Sequence, residues 1–147
     1  MNAYRLTRSF LMLALGLACT APVLAQSAHR VDPQQLNGYW ILINHNVDVD
    51  IPNGGRNMTK PGCAAVSYTI GSDGVPHDIK IEKVVPAGDF GQIAASAVSN
   101  FRYGPSLTNR ASDPVATYYI VPFNSPDQGA GQQQLMAPCK LAGYDAG

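Results

Sequence analysis

The chain has 147 residues, a formal net charge of +0 and 14% charged residues. That balance leaves no electrostatic footprint for nucleic acid, and a chain of this length supports one small domain with one core.

Arg5 and Arg8 precede an apolar run from Phe10 to Ala18, and Val23-Leu24-Ala25 supplies small residues at the usual cleavage positions. This is the three-part plan of a secretory signal peptide over residues 1–25, with cleavage expected between Ala25 and Gln26. The apolar stretch is short of the ~20 residues a spanning helix needs, and Pro22 sits before its end. The alternatives are an uncleaved anchor helix and lipidation at Cys19, the latter lacking the expected leucine three residues before the cysteine. Cleavage leaves an exported chain with no membrane span. It also leaves two cysteines, Cys63 and Cys139, which an oxidising compartment favours as a pair. Two free thiols, or a bond to another protein, are the other readings. An internal bond would close a long loop, worth roughly 4 kcal/mol in the chain-entropy account before strain is subtracted.

Residues 26–60 read as an N-terminal extension with one long strand. Residues 26–38 are polar, whereas Tyr39 to Ile51 alternates throughout. Tyr39, Ile41, Ile43, Val47, Val49 and Ile51 share one face, expected to pack, and Trp40, Leu42, Asn44, Asn46, Asp48 and Asp50 share the other, expected to be solvated. The oxygen-rich face does not spell a calcium loop. Counted from Asn46, the positions that need Gly and Glu hold Ile51 and Asn57. Asn53-Gly54-Gly55 then marks a turn.

The span 61–123 is the informative unit. Val66, Tyr68 and Ile70 recur at period two, as a half-buried strand requires. Ser72-Asp73-Gly74 follows, a hairpin signal because glycine tolerates the positive φ of the turn. Ile79 and Ile81 mark the returning strand. From Phe90 the period changes: Phe90, Ile93, Ala94, Ala97, Val98 and Phe101 fall on one helical stripe. Phe101, Tyr103 and Pro105 close the unit, a polar loop runs from Ser106 to Asp113, and Val115 with Ile120-Val121-Pro122-Phe123 marks a last strand. Residues 124–147 are rich in Ser, Pro, Gly and Gln and read as a flexible tail, tied at most by Cys139.

The order strand, Asp-Gly turn, strand, helix, aromatic-x-aromatic-x-Pro resembles the C-terminal domain of the TonB family. That family carries V-x-x-x-I-x-x-D-G-x-V, then L-D-x-A-A-L-x-A-V, then W-x-F-x-P. Asp73 and Gly74 match the turn, Phe90, Ala94, Ala97 and Val98 the helix, and Phe101, Tyr103 and Pro105 the aromatic exit. Gly91 replaces the aspartate that opens the helix, with Asp89 upstream as the expected cap. Pro86-Ala87-Gly88 stands where a Ser-Gly pair is common, and Phe101 replaces the family's Trp. The resemblance implies an α+β fold of order β-β-α-β, a small antiparallel sheet with one helix on one face, here with the extra N-terminal strand.

It also implies a periplasmic partner: the TonB box, a short peptide of outer-membrane receptors, engaged during transport driven by proton-motive force. Docking by strand addition would use the edge formed by Val115, Ala116, Thr117, Tyr118, Tyr119, Ile120 and Val121. Two other readings keep the fold: a soluble adaptor without energy transduction, and a structural protein whose extra strand covers that edge. Exposed sheet edges also admit a homodimer. Neither catalytic signatures nor cofactor motifs are present in the sequence, and His77 and Asp78, as strand neighbours, point to opposite faces. The expectation is a protein-binding module without a cofactor, a metal or an active site.

Overall fold

The computed structural model describes residues 28–51, 54–126 and 128–144. The signal-peptide reading, with Cys19, Ala25 and Gln26, lies outside them.

The element order is β1 (His29–Arg30), a 3-10 turn (Leu36–Gly38), β2 (Trp40–Leu42), β3 (Gly62–Ile70), β4 (Pro76–Val85), α1 (Phe90–Ser99), β5 (Tyr103–Pro105), β6 (Val115–Phe123), α2 (Ala130–Met136) and a 3-10 turn (Ala137–Cys139). The α+β class and the β-β-α-β order read from the sequence are those observed. Four strands form the main sheet in the order β1-β6-β3-β4, and β2 and β5 form a separate two-stranded ribbon. β3 pairs antiparallel with β4 and β6, while β1 lies parallel to β6.

β3 is central and buried along nearly all its length. One face carries Ala64, Val66, Tyr68 and Ile70 into the main core with Phe90, Ala94 and Val98 of α1. The other face carries Cys63 and Ala65 into a second cluster with Cys139, Ile120 and Leu141. The chain is therefore layered on both sides of the sheet, helix on one and C-terminal segment on the other. Cys63 and Cys139 are bonded across a sequence separation of 76. The C-terminal segment differs from the flexible tail expected: it forms α2, and its following turn and Leu141 are held against β3. Polar composition misses this because the attachment rests on few side chains.

The Asp-Gly turn does more than reverse the chain. Gly74 has φ +73°, a conformation open to glycine, and Asp73 Oδ1 accepts from the Val75 N–H at 3.0 Å. The Gly74 carbonyl then accepts the Tyr103 N–H at 2.9 Å. The turn and the aromatic exit are thus one structural joint. A side chain at Gly74 would run into the Tyr103 carbonyl oxygen, with Trp40 3.6 Å away. Tyr68 and Tyr103 share a hydroxyl hydrogen bond of 2.6 Å beneath it.

Helix α1 begins at Phe90, whose ring stacks on Phe123 at 4.2 Å. Asp89 occupies the N-cap position but makes no side-chain cap; its carboxylate instead accepts the Arg56 N–H at 2.7 Å. Gly91 explains its departure from the family pattern. A Cβ there would lie 2.7 Å from Ile81 and 2.9 Å from Val84, so glycine lets α1 approach β4 closely.

The long strand expected over Tyr39–Ile51 is corrected by the structure. Only Trp40–Leu42 is strand, and its faces are the reverse of the expectation: Trp40 is 1% exposed, whereas Ile41 and Ile43 are 49% and 63% exposed. Counting apolar residues favoured the face of Ile41 and Ile43, but Trp40 offers the larger surface to bury and an indole N–H that reaches the Asp113 carbonyl at 3.1 Å. Beyond Leu42 the chain follows the end of α1 instead. Asn44 Nδ2 donates to the Asn100 carbonyl, the Arg102 N–H donates to Asn44 Oδ1, and Asn100 Nδ2 donates to the Asp48 carbonyl. These asparagines fasten backbone, and that use breaks the period-two run.

Candidate functional site

A strand at the edge of a sheet leaves N–H and C=O groups without partners, and such an edge can accept a strand from another chain. The main sheet ends in β4 on one side and β6, overlapped by β1, on the other.

β4 is guarded. Its register against β3 slips between Ala65 and Val66 and again between Ser67 and Thr69, and Asp78 sits at φ +52° in the second slip. Bulges of this kind twist an edge and interrupt the regular spacing an added strand needs. Lys80, Glu82 and Lys83 follow in the same strand, and charged side chains along an edge disfavour pairing.

β6 is open over part of its length. His29 and Arg30 lie opposite Val115 and Ala116. The Val31 N–H donates to the Ala116 carbonyl at 2.9 Å, and the Thr117 hydroxyl donates to the Val31 carbonyl at 2.9 Å. Backbone groups of alternate residues point to the same side of a strand. The Ala116 bond therefore sets the direction: the groups of Ala116, Tyr118, Ile120 and Pro122 face away from β3. β1 and Val31 use the first. The N–H and C=O of Tyr118 and Ile120, with the Pro122 carbonyl, face a groove of about 650 Å3. Pro122 has no N–H to leave unpaired there, which is the edge position a strand proline tolerates.

Tyr118, Tyr119, Ile120 and Pro122 line the groove from β6, Asp32, Pro33 and Gln34 from one side, and Gln132, Gln133 and Met136 from α2. Burial, and next the charge of Asp32, push the Tyr118 hydroxyl above its ordinary range. Of the edge expected over Val115–Val121, the structure sets Val115 and Ala116 beneath β1 and buries Thr117 completely. The open part begins at Tyr118 and continues to Pro122. The sequence reading missed both walls: β1 is two residues long and carries no periodic signal, and α2 buries nothing.

The histidines are dispersed. His29 tilts on the Tyr39 ring at 5.7 Å, and His77 Nε2 lies 3.3 Å from the Asp73 carboxylate. That carboxyl is held below its ordinary range, chiefly by the Val75 N–H and then by His77. Among the described residues no three His, Cys, Asp or Glu side chains are grouped to hold a metal ion. No helix of the described residues is long and apolar enough to cross a membrane.

The family that matches residues 52–124 is the Gram-negative bacterial TonB protein C-terminal. These residues are a TonB C-terminal segment. Members of that family are transport-related protein-interaction modules of the Gram-negative envelope. Asp73-Gly74, the α1 stripe and the Phe101-x-Tyr103-x-Pro105 exit all fall inside the matched TonB C-terminal segment. The solution NMR structure of Pseudomonas aeruginosa TonB CTD is similar at 19% identity, covering 69% of this chain and 100% of that chain with a TM-score of 0.40. No curated protein matches the chain.

Proposed function

We propose that this TonB C-terminal domain is a periplasmic docking module for outer-membrane transport that takes an extended peptide as an added strand on β6. The observation that carries the reading is the set of outward backbone groups of Tyr118, Ile120 and Pro122 along the groove. The contrast with β4, bulged at two places, supports β6 over the opposite edge. The secretory plan of residues 1–25 fits a periplasmic site, and receptor-derived TonB-box segments are the first partners to try.

The test is a titration of the 15N-labelled chain with a receptor-derived TonB-box peptide. The Tyr118 and Ile120 amides should shift and become protected from exchange, while the β4 amides stay in place. Saturating peptide that leaves both amides unmoved, or moves β4 instead, rejects the reading.

A further inference from the structure

The groove has a wall whose position core packing does not account for. α2 contributes no buried residue, yet Gln132, Gln133 and Met136 stand across the groove from Asp32 to Gln34. Its anchors come after it in the chain. Cys139 is bonded to Cys63, and Leu141 packs beside the bond. The Lys140 carbonyl accepts Lys83 Nζ at 2.8 Å. Tyr144 lies on Tyr118 at 4.9 Å, with the Arg30 guanidinium 5.5 Å over its ring. On the near side, Gln132 Nε2 reaches the Ser125 hydroxyl at 3.3 Å. The helix is therefore suspended between Phe123 and Cys139, beside the open part of β6.

We propose that α2 is the side wall of the peptide site and that the Cys63–Cys139 bond holds it in place. This rests on the strand-addition reading and adds the chemistry of the partner. An added strand sends alternate side chains to the α2 side. There Met136 offers an adaptable thioether surface for an aliphatic side chain, and the Gln132 and Gln133 amides offer donors and acceptors for a polar one. Those three wall residues carry no charge. The occupant is an extended peptide whose side chains opposite Gln132, Gln133 and Met136 are neutral, with the Lys140 cation at the end of the same wall.

The full chain is titrated with the same TonB-box peptide as wild type, as Met136→Ala and as the double variant Cys63→Ser/Cys139→Ser. Met136→Ala should weaken binding about tenfold, a change of about 1.4 kcal/mol, with a urea midpoint little changed because Met136 is only half-buried. The Cys63→Ser/Cys139→Ser variant should lose at least as much affinity, with the Tyr118 and Ile120 shifts still reached at saturation. Wild-type affinity in Met136→Ala overturns the wall and leaves strand addition standing, and it decides the matter even where the double variant does not fold. A wild-type chain whose Tyr118 and Ile120 amides ignore the peptide overturns both.

Discussion

Replacing Gly74 by alanine tests the joint between the hairpin turn and the aromatic exit. Two costs add. The φ of +73° places an L-residue in the left-handed region, at roughly 1–2 kcal/mol, offset by up to about 1 kcal/mol from the stiffer unfolded chain. The new methyl also meets the Tyr103 carbonyl oxygen, which belongs to the backbone and cannot rotate away. The ribbon must move, which strains the Tyr103 N–H bond to the Gly74 carbonyl, worth about 1 kcal/mol, and disturbs the aromatic contacts behind it. The sum is a loss of about 2 kcal/mol. Gly54→Ala is the control, since Gly54 has φ +84° but open space around it; it carries the conformational cost alone, about 1 kcal/mol. Urea unfolding followed by the emission of Trp40, the single tryptophan and 3.6 Å from the Gly74 Cβ position, gives both values. Equal losses in the two variants would refute the steric joint.

Two more outcomes are expected. Burial holds the Tyr68 hydroxyl well above its ordinary pKa and pushes Tyr103 up to about 12. The fold therefore retains protons that the unfolded chain releases near pH 10. Stability should be intact below pH 10 and fall as pH rises toward 12; a Tyr68→Phe/Tyr103→Phe variant with the same slope over that range would contradict the assignment. Gly91→Ala should cost about 1 kcal/mol, because crowding against Ile81 and Val84 outweighs the roughly 1 kcal/mol that alanine gains in a helix. A raised urea midpoint would count against the close approach of α1 to β4.

The parts of the fold legible in the sequence are those whose signal is local. Val66, Tyr68 and Ile70 alternate because β3 sends them to one face, and the Phe90-to-Val98 stripe is buried as one side of α1. The joint between Gly74 and Tyr103 is not local; its two halves stood in the sequence as separate motifs. Trp40 was misplaced because period-two counting cannot say which face wins when one large ring opposes several smaller side chains. The candidate site was legible in one element only. β6 announced itself through Val115 and the Ile120–Phe123 run, but the strand that shortens its edge and the helix that flanks it have no pattern of their own. Both gain their places through contacts distant in sequence, among them Val31 with Ala116 and Thr117, and Cys139 with Cys63.

The β3–β6 ladder has a mechanical corollary. Nine residues of β6 are in register with nine of β3, from Gly62 opposite Phe123 to Ile70 opposite Val115. A load drawn along β6 shears that whole ladder at once. A segment seated on the outer edge would grip only the outward groups of Tyr118, Ile120 and Pro122. Under tension a guest seated there would slip before its host unravels, and such a pairing would act as a clutch with a built-in release.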